Sequence, residues 1–294
     1  YKAAGVPVLG IEPARNVAQV AVEQHGVPTR EEFFDAKFAA RLVAEGRRAD
    51  VFHAHNVLAH VPDLNGFVAG VRTILKTGGL AVIEAPYVKD MLDHCEFDTI
   101  YHEHLSYFSL TALDRCFRRH GLVIADVERV PIHGGSLRLF AIPLECVNGV
   151  PPRVSALLAE EAAWGVDTER PYLAFAAKVN QLRASLRMLL SNLKAAGLKV
   201  AAYGASAKGS TLLNFCGIGP ETIDFVVDRS TVKQGKYTPG THLRIYSPDK
   251  LLEVQPDFTL LLTWNFADEI LRQQEEYRRR GGRFIVPVPM PRVA

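Results

Sequence analysis

A chain of 294 residues, 48% hydrophobic and 22% charged, has ample apolar surface to bury and a length that divides most naturally into two domains. Its formal charge of +2 is spread over interleaved basic and acidic residues, which excludes a nucleic-acid tract and a polybasic membrane patch and leaves a small molecule as the expected partner. No apolar run approaches the roughly 20 residues that span a bilayer, and no signal segment opens the chain, so a cytoplasmic protein is expected.

The opening "YKAAGVPVLGIEPA" reads as the last turn of a helix followed by a buried strand over 6–11. So abrupt a start is expected of a piece of a longer chain, with a further strand and helix upstream. "ARNVAQVAVEQHG" is then a helix stopped at Gly26, "VPTREEFF" a short strand and turn, and "DAKFAARLVAEGR" a second helix. "ADVFHAHNVLAHV" is a strand entering a loop, "LNGFVAGVRTILKTGG" a helix with a glycine stop, and "LAVIEAPY" a third strand. This alternation predicts a parallel sheet with right-handed crossovers.

After "YHEHLSYFS" come the helix "SLTALDRCFRRHG" and two strands, "LVIADVERV" and "GSLRLFAIP", joined without a helix as an antiparallel excursion would be. "NGVPPRV" reads as a linker and 155–196 as helices interrupted at Pro171. A second alternating unit follows, with strands in "LKVAAYGASAKG", "IDFVVDRS", "PDFTLLLTWNF" and "GRFIVPVP". The four cysteines, Cys95, Cys116, Cys146 and Cys216, lie far apart without a CxxC pair and indicate neither a zinc knuckle nor a disulfide framework.

Four places carry chemistry. Glu12 closes the first strand, where a carboxylate accepts hydrogen bonds from a ribose diol, or serves as an acid favoured at a helix start. Asn56 and His60 follow the next strand, one helical turn apart, placed either to face one another or to line a ligand. "YHEHLSYFS" gathers two imidazoles, a carboxylate, two phenols and two hydroxyls. A helical turn there brings Tyr101 and His104 together, whereas a strand aligns Tyr101 with Glu103. Either arrangement lets a phenol, a carboxylate and an imidazole converge. Histidine, with a pKa near 6.5, removes protons at neutral pH, and a tyrosine hydroxyl donates to a developing oxyanion. His102 and His104 lack HExxH spacing, so no metal is expected. Finally, Gly204, Ser206 and Lys208 in "GASAKG" lie between a strand and a helix, where a backbone turn cradles pyrophosphate, and Asp228 ends the next strand, where a ribose is held.

Together, "NVLAHVPDLNGFVAG", "EAPY", "DTIYHEHLSYFS", "HGGSLR", "YGASAKGSTLLNFCGI", "VVDRSTVKQGKYTPGTH" and "LLLTWNFADEI" resemble the S-adenosylmethionine-dependent sugar C-methyltransferases that act on nucleotide-linked 4-keto deoxysugars. The similarity runs essentially the whole chain. It implies an α/β fold: a truncated class I methyltransferase-like Rossmann sheet over 1–150, a helical connector over 151–196, and a second Rossmann-like domain over 197–294 that binds the nucleotide sugar. Members usually begin with a cysteine-rich zinc domain and a glycine-rich first strand and loop. Neither occurs here, so zinc is implied for a complete protein and not for this chain.

The resemblance also implies roles. His104 would remove the sugar C3 proton, Tyr101 would hydrogen-bond the ketone or enolate oxygen, and Glu103 would orient the base or a hydroxyl. Glu12, Asn56 and His60 would lie on the cofactor side. Glu84, His133, Gly134, Ser136, Gly204, Ser206, Lys208 and Asp228 would lie on the substrate side, although strand-capping glycines explain "HGGS" almost as well. The competing readings are an O- or N-methyltransferase, an NAD-dependent sugar-nucleotide oxidoreductase, weakened because the turn lacks GxGxxG, and a non-enzymatic sugar-nucleotide-binding module.

Overall fold

The computed structural model describes residues 1–132, 134–147, 149 and 151–294, and gathers them into two units, each assembled from separate stretches. The first comprises Tyr1–Ala85, Phe108–Val130 and Leu137–Glu161, and the second Pro86–Tyr107, Pro131–Ser136 and Ala162–Ala294. The tyrosine- and histidine-rich stretch up to Tyr107 therefore belongs with the C-terminal strands.

In the first unit, β1 (Gly10–Ile11) and β2 (Thr29–Arg30) pair in parallel over two registered positions. The strand expected over 6–11 is thus shortened, because only those positions find a ladder, and Val6 is exposed. The helix Arg15–Glu23 connects the two strands. The next helix, Ala36–Ala44, starts where the Asp35 side chain accepts from the Phe38 amide at 2.7 Å, and it buries Phe38, Ala39 and Leu42.

β3 (Ala49–His55) runs parallel to β4 (Leu75–Pro86). The intervening helix is Leu64–Ile74, capped by Asp63, and it stops before the glycine pair expected to end it. The reason is pairing: the ladder between β3 and β4 already begins at Ala49 and Leu75, so Gly78 and Gly79 lie inside a strand. β5 (Leu122–Val130) and β6 (Ser136–Pro143) complete the sheet in the order β3-β4-β6-β5, with these consecutive strands adjacent.

The second unit carries β7 (Val200–Tyr203), β8 (Val226–Val227), β9 (Ile245–Tyr246), β10 (Phe258–Leu261), β11 (Arg283–Val286) and β12 (Arg292–Val293), ordered β12-β11-β10-β7-β8-β9. All pairs are parallel except β11 with β12. Strand order reverses at β7, so a topological switch point lies beside its carboxyl end.

These strands read as unbroken apolar runs because both faces are covered. Val200, Ala202 and Leu260 pack on one side with Leu182, Leu186 and Leu190 of the helix Arg170–Ala195, while Ala201, Tyr203 and Leu261 pack on the other with Tyr277 and Phe284. Phe97 also enters the first of these cores, its ring 5.0 Å from that of Phe215. The expected interruption at Pro171 is displaced: Pro171 sits in the first turn of Arg170–Ala195, where its missing N–H costs nothing, and the break precedes it, after the helix Pro152–Trp164. Among the described residues, no helix is long and apolar enough to cross a membrane.

Glu161, fully buried in the helix Pro152–Trp164, caps the helix Leu110–Arg119: it accepts from the Leu110 amide at 2.6 Å, the Thr111 amide at 2.7 Å and the Thr111 hydroxyl at 2.5 Å. Removing it strands buried donors at a positive helix end. Glu161→Ala is expected to destabilise the unit by about 3 kcal/mol and Glu161→Gln by less, measured by urea unfolding; equal midpoints for wild type and Glu161→Ala would contradict this account.

Candidate functional site

The stretch from Glu96 to Tyr107 is built around one carbonyl. The short 3-10 turn Phe97–Thr99 is pinned by Phe97 in the core and by the Thr99 hydroxyl donating to the Glu96 carbonyl at 2.7 Å. The Thr99 carbonyl then accepts from three donors: the Tyr101 amide at 3.1 Å, His104 Nδ1 at 2.7 Å and the Tyr107 hydroxyl at 3.4 Å.

A carbonyl oxygen only accepts, so His104 Nδ1 carries the proton and the neutral ring presents its lone pair on Nε2. Nε2 lies 3.3 Å from the Tyr101 hydroxyl, with the two ring centroids 4.3 Å apart. The chain turns here, the His104 amide donating to the Tyr101 carbonyl, so the helical-turn alternative holds and the strand alternative does not. Burial, reinforced by the charges of Glu103 and Asp98, holds the Tyr101 hydroxyl above the usual tyrosine range, and it remains a proton donor through the physiological range. Glu103 is exposed and lies 3.9 Å from the exposed His102.

Next to this loop Lys208, placed on the substrate side from the sequence, meets two acids and an indole that the sequence did not single out. Asp98 is 0% exposed; its Oδ2 accepts from the Trp264 indole N–H at 2.7 Å, and its Oδ1 has no hydrogen-bond partner among the described residues. Lys208 Nζ lies 3.8 Å from both Asp98 Oδ1 and Glu96 Oε2, and 4.0 Å from the centre of the Trp264 ring. Two buried carboxylates share one ammonium. Burial accordingly pushes the Asp98 carboxyl up to about 6, against the opposing pull of Lys208 and Trp264, and raises that of Glu96 as well.

The turn after β7 is glycine-dependent: Gly204 has φ +99°, and a Cβ there would meet the Thr263 side chain at 2.6 Å. Ser206 caps the helix Ala207–Cys216 by accepting from the Gly209 amide at 3.0 Å. Asp228, just beyond β8, accepts from the Ala205 and Ser230 amides, both at 2.7 Å, and lies 3.7 Å from Lys233. This turn stands at the switch point. Lys208, by contrast, is directed to Glu96 and Asp98.

Gly134, at φ +87°, passes so close to the Glu96 carboxylate that no side chain fits there, and its carbonyl is 3.1 Å from His94 Nδ1. Ser136 is buried, donating to the Ile132 carbonyl at 3.0 Å. Both positions have intramolecular reasons for their identity. His133 lies outside the described residues.

The remaining candidates belong to the first unit. Glu12 follows β1 and accepts from the Ala14 amide at 2.8 Å, at the start of the helix Arg15–Glu23. Asn56 follows β3 in the left-handed region, its amide donating to the Glu84 carbonyl at 2.9 Å and its Oδ1 buried without a hydrogen-bond partner among the described residues. His60 is exposed. Glu84, 1% exposed, is bound on one oxygen by Arg138 Nε at 3.1 Å and Nη2 at 3.0 Å, a pairing that accounts for its burial without a ligand.

Residues 131–289 match the C-methyltransferase C-terminal domain, and residues 1–127 match a methyltransferase domain. The C-methyltransferase NovU of Streptomyces niveus is 42% identical over 293 residues, covering 100% of this chain and 70% of that protein. The chain belongs to the S-adenosylmethionine-dependent C-methyltransferases. A ubiquinone biosynthesis O-methyltransferase of Methylobacterium sp. (strain 4-46) is 28% identical over 49% of the chain and 62% of its own length. Among solved structures, the PH0226 protein of Pyrococcus horikoshii OT3 (13% identity, TM-score 0.37, 48% of this chain and 74% of that one) and the glycopeptide N-methyltransferase MtfA with S-adenosyl-L-methionine (12%, 0.35, 48% and 79%) are similar in part. Family membership rests on the sequence matches alone.

The C-methyltransferase's own residues fit its cofactor. Glu12 and Asn56 each follow the carboxyl end of a parallel strand, and Asn56 Oδ1, buried and without a partner among the described residues, leaves an acceptor for a ligand hydroxyl or amine. The Asp98, Glu96 and Trp264 cluster had one sequence cue, acids beside the apolar Phe97 and Ile100, which is too common a pattern to single out.

An acid whose folded pKa lies above its unfolded value binds its proton more tightly when folded. The contribution of Asp98 to stability is therefore complete below about pH 4 and is lost as pH rises through about 6; the difference is on the order of 3 kcal/mol. Asp98→Asn, which keeps an acceptor for Trp264, is expected to melt above the wild type at pH 8, with the gap closing between pH 6 and 4. A gap independent of pH would count against this account.

Proposed function

We propose that this C-methyltransferase acts on C3 of a nucleotide-linked 4-keto deoxysugar through an enolate formed by His104. The observation that carries the reading is the fixed tautomer: with Nδ1 committed to the Thr99 carbonyl, Nε2 is the basic atom, and a neutral phenol stands beside it. A proton on a carbon next to a ketone is acidic because the charge left behind spreads onto oxygen.

His104 Nε2 removes that proton, and the imidazolium keeps its Nδ1 bond to Thr99. The Tyr101 hydroxyl exchanges its hydrogen bond to Nε2 for one to the ketone oxygen as negative charge develops there. Glu103 orients a sugar hydroxyl. Bound S-adenosylmethionine supplies an electrophilic methyl group, and the chain must supply a nucleophilic carbon. Glu12, Asn56 and His60 are assigned to the cofactor side.

The nucleotide is assigned to the turn at the β7 switch point. Gly204 lets the backbone approach the diphosphate, the helix capped by Ser206 offers its positive end, and Asp228 retains a second lone pair on each oxygen for a ribose diol. Lys208 influences this side through Glu96 and Asp98 and is not assigned as a direct phosphate ligand.

The test is exchange of the C3 proton of a nucleotide-linked 4-keto-6-deoxyhexose in heavy water, followed by NMR with S-adenosylhomocysteine bound. Wild type is expected to exchange it, and His104→Ala to slow exchange by about 10²–10⁴-fold. Tyr101→Phe is expected to slow it by roughly 10²-fold while leaving sugar-nucleotide affinity within a few-fold. Absence of exchange in a wild type shown to bind the sugar nucleotide would overturn the His104 assignment and favour methylation at another atom.

A further inference from the structure

We infer that Asp98, held by Trp264, is a positioning residue for His104. The inference rests on the reading of His104 as the base. Asp98 lies in the Phe97–Thr99 turn, and the carbonyl that fixes the imidazole belongs to the very next residue. What holds Asp98 comes from the other end of the chain: the Trp264 indole N–H binds Oδ2 at 2.7 Å, and Lys208 lies 3.8 Å from Oδ1 while stacking 4.0 Å over the same indole. Trp264 thus grips both the acid and its counter-ion. Any rotation of the turn that moved the Thr99 carbonyl would break the Asp98–Trp264 bond or withdraw Phe97 from the core.

The energetics point the same way. A carboxylate with no solvent exposure, one oxygen without a hydrogen-bond donor among the described residues and an ammonium shared with Glu96 costs stability at neutral pH. Stability is therefore not what the charge contributes. What the side chain contributes is an acceptor oxygen for the Trp264 N–H, which holds the turn that carries the Thr99 carbonyl. A group that is costly to bury and bonded one residue away from the carbonyl that anchors the base has the arrangement expected of a residue that sets geometry for catalysis.

The experiment records histidine ring ¹⁵N spectra of the protein labelled at histidine, with the His104 signals identified by their loss in His104→Gln. Wild-type His104 is expected as the Nδ1–H tautomer, the less favoured form of a free imidazole. Asp98→Ala and, independently, Trp264→Phe are expected to shift it toward Nε2–H and to lower kcat about 10- to 100-fold with KM for the sugar nucleotide little changed. Asp98→Asn, which can still accept from Trp264, is expected to recover most of the tautomer and most of the rate. An unchanged His104 tautomer in folded Asp98→Ala and Trp264→Phe would overturn the inference, even if both variants were less stable. The reading of His104 as base fails separately, if His104→Ala exchanges the C3 proton at the wild-type rate whatever its ring nitrogens show in the parent protein.

Discussion

The Thr99 carbonyl oxygen is the point around which the loop from Glu96 to Tyr107 is organised. A carbonyl has two lone pairs, and this one meets three donors, from Tyr101, His104 and Tyr107. Crowding donors onto one acceptor makes the short loop over-determined: the backbone turn, the imidazole and the second phenol must satisfy the same atom. The result is an imidazole whose tautomer is set within the loop itself, because Nδ1 already has the Thr99 carbonyl as its partner.

Two buried carboxylates show how differently one functional group is used. Glu161 meets three protein donors at a helix start and ties the helix Pro152–Trp164 to the helix Leu110–Arg119. Asp98 meets the Trp264 indole and shares one lysine with Glu96. The first arrangement follows from satisfying exposed helix amides, as any stable fold must. The second places a poorly satisfied charge in the turn next to the Thr99 carbonyl, where a structural explanation alone is weakest.

Much of this was legible in the sequence. The parallel strands of the second unit were visible as short apolar runs, Gly204 and Ser206 as a turn and cap, and Tyr101 with His104 as a pair one turn apart. These signals are local: they depend on period, on φ, or on neighbours three or four residues away. The helix that ends at Ile74 was misjudged because glycines looked like the stop signal, whereas strand pairing beginning at Leu75 set the boundary. The Asp98–Trp264 bond joins residues 166 positions apart, and no periodicity or cap rule connects such a pair. Nor could the sequence separate the structural demand on Gly134, which abuts Glu96, from a ligand-binding one. Long-range polar contacts fix the chemistry here, and they have the least signature along the chain.

The second unit is not a contiguous piece of sequence. Its sheet lies in Ala162–Ala294, but Phe97, which fills part of its core, and the loop that carries His104 are supplied by Pro86–Tyr107, with Pro131–Ser136 inserted as well. A gene fusion that exchanged only the segment after residue 197 would transplant the glycine turn and Trp264 while leaving behind their acidic partners and the base. The core that Phe97 fills and the Asp98–Trp264 bond would be broken up in such chimeras, so recombination between relatives has to move the two stretches together.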